Sequence, residues 1–408
     1  MLLYRKKKAV PRTAPMNLLD TIFEVPHLLH FTNSDSRKAL QATCSQLRHL
    51  VRRTTSSVSF GTDWQTSEAD ARLLASGAWT HLKAINFCAA GMNANAIAVL
   101  SQGDWPLLEV LVLSNNLIEA RGMEHFSHGR WPALATLELH CVGMCTEMME
   151  QLQHATLASL LSLDLSDNRM ANSACWAKLV KGEWPKLTYL DLSSNYINIA
   201  FFKQLKIAKW PLLGSLNLHG ALLKSYAKRQ AQHEPFQGLA QCDWHQLQSL
   251  SMANCMLNPE AVQTICQAPW SDLRELDLSA NSMSGDAIRY LAGSVWSRLE
   301  ILHLKDCDID VTAVSYLVQA QWSHLKTVGL SGNDIHVDAL DLLVKAQWPS
   351  LTELDLSYNY LGPGPVVRLS SGHELPFESG QHIITPPAWL LKQWPMLSVL
   401  NLSCCNEV

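Results

Sequence analysis

The chain has 408 residues, 48% apolar and 17% charged, with a mean hydropathy of +0.00, so it can bury a sizeable core and is far from a disordered composition. No run approaches 18 apolar residues, which speaks against a membrane-spanning helix, and eleven cysteines without small-scaffold spacing point to reduced thiols in the cytoplasm or nucleus. Residues 1–60 carry ten Lys and Arg against three acids, and residues 61–408 carry 22 against 33, so a basic head (+7) precedes an acidic body (−11).

Residues 1–15 read as a basic, solvated tail, since no apolar stretch follows Arg5–Lys8 to make a secretory signal. Residues 16–57 read as helical. Leu28, Leu29 and Phe31 share one helical face, and Ser34 can cap a second helix that carries Leu40, Cys44, Leu47, Leu50 and Val51. One reading makes this segment a cap on the larger domain that begins near residue 58. The other rests on a resemblance: Asp35, Leu40, Cys44, Leu47, Arg48, Leu50 and Val51 are similar to the middle and end of an F-box. The opening of that motif is represented only by Val25-Pro26-His27-Leu28-Leu29, without its Glu. The resemblance implies a Skp-type adaptor of a cullin–RING ubiquitin ligase as partner, held by Pro26, Leu28, Leu29, Leu40, Cys44 and Leu47.

From residue 58 onward the chain repeats. Trp79, Trp105 and Trp131 stand 26 apart, and Leu157 takes the next place. Trp184, Trp210, Trp244, Trp270, Trp296, Trp322, Trp348 and Trp394 continue the series, with two lengthened steps before Trp244 and Trp394. Each Trp opens the pattern W-x-x-L-x-x-L-x-L-S-x-N and an apolar residue two places on, as in Trp270, Leu273, Leu276, Leu278, Ser279, Asn281 and Met283. The L-x-L step predicts a short strand with both leucines on one side and the middle residue on the other. The Asn (or Cys at 255, 307 and 405) closes a turn and can bond backbone groups of neighbouring repeats. A stretch such as Ala287-Ile288 with Leu291 has helical spacing and crosses back to the next Trp. No unit buries its apolar side alone, but stacked units share one core, in which the indoles pack on one another.

These residues resemble the leucine-rich repeat family in its ribonuclease-inhibitor-like form, with the 26-residue length of the cysteine-containing subtype. The resemblance implies an α/β solenoid: a horseshoe with a parallel concave sheet and a helical convex face, preceded by the small helical segment. The repeat domain then spans 58–408, a leading half-repeat at Val58-Ser59-Phe60 and about twelve repeats. Insertions near 224–240 and 362–388 interrupt it. The second, rich in Pro and Gly, reads as a recognition loop or a disordered excursion. No capping helix succeeds Leu400-Asn401-Leu402, so further chain or a partner is expected over that edge.

The middle strand residues line one exposed row, among them Glu138, Asp164, Asp191, Asp277, His303 and Asp355. The row two places earlier adds Tyr189, Glu275 and Glu353, and the row two places later adds Lys305. This polar, mildly acidic surface suits a protein or basic peptide and would repel nucleic acid. The aspartates have a plainer reading, since L-D-L-S is near the family consensus and the carboxylates can serve neighbouring strands. No phosphate-binding loop, dinucleotide fingerprint, nucleophile elbow or zinc signature occurs, so no enzyme, cofactor or metal site is expected. The function this implies is a non-catalytic scaffold with a protein partner on its concave face. The alternatives are an F-box-like substrate receptor and, by fold analogy alone, a GTPase-activating protein.

Overall fold

Leucines at every second position cannot leave their side chains in water, and the structure shows where they go. The computed structural model describes residues 28–31, 55–60, 67–77, 79, 81–222, 236–361, 366–376 and 383–405. After β1 (Leu28–Phe31) and β2 (Ser57–Phe60) come three-residue strands, one per repeat. They are β3 (Ala84–Asn86), β4 (Val110–Val112), β5 (Thr136–Glu138), β6 (Ser162–Asp164), β7 (Tyr189–Asp191), β8 (Ser215–Asn217) and β9 (Ser249–Ser251). The series continues with β10 (Glu275–Asp277), β11 (Ile301–His303), β12 (Thr327–Gly329) and β13 (Glu353–Asp355), and β17 (Val399–Asn401) closes it. All pair in parallel and in register, so that Leu163, Leu190, Leu216, Leu250 and Leu276 form one continuous buried row.

Short helices cross back behind the sheet. Asn93, Asn172, Asn198, Asn258 and Asp310 each begin one by accepting a backbone N–H of its first turn. The helix Gly285–Ala292 buries Ala287, Ile288 and Leu291, and Val311–Leu317 buries Ala313, Val314 and Leu317. These are the expected positions. The layer between repeats is filled by the register tryptophans, all buried. Trp184 stacks on Trp210 at 6.2 Å and Trp210 on Trp244 at 6.5 Å; Trp270–Trp296 and Trp348–Trp394 repeat the geometry. The turns are held by the expected side-chain ladder. Asn281 accepts the N–H groups of Cys255 and Leu257 one repeat back and donates to the Met252 and Leu278 carbonyls. Where Cys replaces Asn the ladder keeps a donor, as Cys255 Sγ to the Leu218 carbonyl at 3.0 Å.

Three expectations are corrected. Leu28–Phe31 is a strand, not a helical face: β1 lies parallel to β2, with Leu28 opposite Ser57 and Phe31 opposite Phe60. An edge strand of a growing sheet offers a row of unpaired backbone groups, and pairing them outweighs the helical spacing of two leucines and a phenylalanine. Thus the sheet begins inside the segment read as a separate helical module, while Pro26, Leu40, Cys44 and Leu47 lie outside the described residues. So do the tail (1–15) and most of the first insertion (223–235). Second, the sheet edge at β17 is not open. β16 (Ile383–Ile384), from the second insertion, pairs antiparallel with it. Third, the described part of that insertion is no excursion. β14 (Val366–Arg368) and β15 (Glu374–Pro376) form a hairpin whose Val367, Leu369 and Leu375 are buried. The Ser370 N–H is anchored on the Asp341 carboxylate at 2.9–3.0 Å.

Candidate functional site

Because each L-x-L strand turns both leucines toward the helices, its middle residue and the residues two places either side face the other way. In β5, β6, β10 and β11 the burial alternates half-exposed, buried, half-exposed, as this requires. In-register pairing sets the exposed residues side by side. Glu138 faces Asp164, Asp164 faces Asp191, and Tyr189 stands beside Ser162. The same rule puts Asp277 beside His303, His303 beside Gly329 and Gly329 beside Asp355.

The structure divides the expected residues into two chemical groups. The aspartates close their own strand exits: Asp164, Asp191, Asp277 and Asp355 each accept the N–H two residues on, at 2.8–3.1 Å from Ser166, Ser193, Ser279 and Ser357. The plainer sequence reading has them serve neighbouring strands, whereas these four bonds stay within each strand's own turn. Asp191 also takes the Tyr189 hydroxyl at 3.1 Å and the Asn217 amide at 2.9 Å. The glutamates have no such duty. Glu275 accepts only the Ser249 hydroxyl at 3.1 Å, and Glu353 is exposed with no bond to a described residue. Glu138 is half-buried, and desolvation together with Asp164 pushes its carboxyl above the usual range, with His140 opposing. Burial and the nearby Asp191 likewise push the Tyr189 phenol up, so it stays a neutral donor.

At the other end of the row, Lys305 reaches across a strand to Asp355, Nζ to Oδ2 3.2 Å. Gly329 permits this crossing. A Cβ there would lie 2.8 Å from His303 Nδ1 and 2.9 Å from Lys305 Cε. The pattern of leucines carries no hint of it, because the substitution falls at a position the repeat leaves free. Sequence reading also missed the exposed rings on the turn edge, Tyr196, Tyr358 and Tyr360, the last stacked on His336 at 5.4 Å.

Ser166 lies between His140 Nδ1 (2.8 Å) and Asp164 (2.6 Å), and its hydroxyl donates to the carboxylate. Among the described residues no three ligating side chains converge on a point fit for a metal ion, and no helix is long and apolar enough to cross a membrane. What the surface can do is hold cations and hydrogen-bond donors along many strands.

The fold is a leucine-rich repeat solenoid: a parallel sheet of one strand per repeat, helices behind it and an Asn/Cys ladder between units. Residues 234–360, less than a third of the chain, match the model of the PRAME C-terminal domain. No curated protein matches the chain. Solved structures with similar folds include an internalin (inlF) from Listeria monocytogenes str. 4b F2365, with 17% identity and a TM-score of 0.35 over 65% of this chain and 77% of that one. Another is the TLR13–ssRNA13 complex (19%, 0.40), which this chain matches over 75% of its length and 52% of the other's. The Rad7–Elc1 complex from yeast gives 17% and 0.41 over 89% and 87%.

Proposed function

We propose that this protein is a non-catalytic interaction scaffold that holds a basic segment of a protein partner along the open face of its sheet. The observation that supports this most directly is the sorting of the acidic row. The aspartates are engaged by their own turns, whereas Glu138, Glu275 and Glu353 stand on strands spread across the sheet with their carboxylates turned outward. From β5 to β13 there are eight strand steps, about 38 Å at 4.8 Å each, enough for some eleven residues of extended peptide. Tyr189, its hydroxyl given to Asp191, adds an apolar ring near one end, and Lys305, tied to Asp355, interrupts the negative row near the other. That alternation gives a partner a register to recognise.

The test replaces Glu138, Glu275 and Glu353 together by Arg and compares the proteins captured by parent and variant chains, with the melting curve as a control for folding. Partners held by this face are lost from the variant alone. If both chains capture the same set with equal strength, the face is not the binding surface.

A further inference from the structure

The edge of the solenoid where helices run into strands carries a feature unrelated to the acidic face. Every register position but one holds an indole; at the exception, Leu157 takes its place. Beside Leu157, itself only 2% exposed, the surface opens into a cavity of about 600 Å³, lined among others by Gln153, His154, Lys181, Glu183 and Lys209. A second cavity of about 360 Å³ continues along the same edge, sharing Lys209 and bordered by Lys206, Trp210 and Asp243. Together they form one groove across the four units that carry residues 157, 184, 210 and 244.

Charge singles out the same place. In a body that is acidic overall, Lys178, Lys181, Lys186, Lys203, Lys206 and Lys209 fall within residues 178–212, against only Glu183 and Asp191. Asp191 faces the sheet side. Lys178 is held by Glu150 at 2.6 Å and Lys209 by Glu183 at 2.5 Å. Lys181, Lys186 and Lys206 are exposed and form no ion pair with a described residue. Apolar side chains stand among them: Ile207 is 53% exposed and Leu212 37%.

We propose that this groove docks an acidic segment of a protein partner, with carboxylates on Lys181, Lys186 and Lys206 and apolar side chains against Ile207 and Leu212. Its length, three strand steps or about 14 Å, fits some four extended residues. A nucleic acid fits less well. The exposed rings Tyr189, Tyr196, Tyr358 and Tyr360 are on the sheet face or the opposite turns, Trp184 and Trp210 are buried, and Glu183 stands within the groove. The site is independent of the acidic face, so the two can be occupied together by oppositely charged parts of one partner or by two partners.

The test uses the full chain and a fluorescein-labelled acidic peptide carrying two leucines, monitored by anisotropy at low and physiological salt. Lys181→Glu, Lys186→Glu and Lys206→Glu combined should weaken binding by about tenfold or more, with an unchanged melting curve because all three are exposed. The double change Ile207→Ser and Leu212→Ser removes the exposed apolar side chains without altering charge. It should reduce binding of the leucine peptide to that of its alanine counterpart. Equal affinity of the lysine variant and the parent overturns the proposal. So does binding of poly-glutamate or a single-stranded RNA oligonucleotide as tight as that of the peptide, which would make the groove a general polyanion patch.

Discussion

At the residue scale, the turn asparagines show how much a single amide can be asked to hold. Asn281 is 1% exposed and satisfies two backbone N–H groups of the preceding repeat and carbonyls of both. Asn281→Ala leaves those groups buried without partners, at about 1–3 kcal/mol each but not additively. A loss of about 3 kcal/mol in denaturant unfolding is expected, and Asn281→Cys should lose less, because a thiol keeps the donor as Cys255 and Cys307 do. Glu138 gives a prediction with a definite sign. Its pKa is higher folded than unfolded, so the folded state binds more protons in that window and stability falls as pH rises through it. Glu138→Gln should therefore stabilise the protein at neutral pH, and the gain should vanish once the pH drops below the unfolded carboxylate range. Parallel denaturation curves at neutral and acid pH decide it. The Asn ladder was legible from spacing alone, whereas Glu138's titration depends on its burial and on Asp164, a neighbour only through pairing.

The elements are short, so each depends on what closes its ends. The helix that ends before Trp184 turns at Gly182, where a Cβ would lie 2.5 Å from the indole. Gly182→Ala must displace a ring packed on Trp210, and a destabilisation of about 1–3 kcal/mol is expected in thermal or denaturant unfolding. At the end of the sheet, β16 supplies β17 with an antiparallel partner from an insertion that reads as a loop in the sequence. Two residues, Ile383 and Ile384, are too few to declare a strand by pattern, and only the presence of β17's free edge makes them one. Ile384→Pro removes a donor from that pairing and should expose the edge; light scattering should then show stronger concentration-dependent self-association than the parent does. The strand at Leu28–Phe31 carries the same lesson from the other end: helical spacing was present, but a neighbouring edge decided the conformation.

For the whole molecule, contacts run between neighbouring units, so stability is close to a sum over repeats and interfaces. The cysteines report on this. Burial pushes the thiols of Cys175, Cys242, Cys255, Cys266 and Cys307 up to about 12, whereas Cys141 is exposed. A thiol reagent on the native protein should modify Cys141 and leave those five untouched until unfolding. Mass spectrometry along a denaturant series would then show whether they appear together or unit by unit, and modification of the five under native conditions would contradict the packing described.

The repeat itself was determined by sequence. A 26-residue recurrence of Trp, Leu and Asn admits one economical packing, because every unit must hand its apolar side to the next. Strands, helices, buried indoles and the outward row all result from that local rule. What the rule leaves free had to be decided in three dimensions. Side chains at those positions answer to neighbours a full repeat away: Lys305 crosses Gly329 to reach Asp355, and Lys181, Glu183 and Lys209 from successive units line one groove. The ends of the sheet were decided in the same way, since an edge is satisfied by whichever strand of chain lies beside it, and adjacency is a property of the folded molecule.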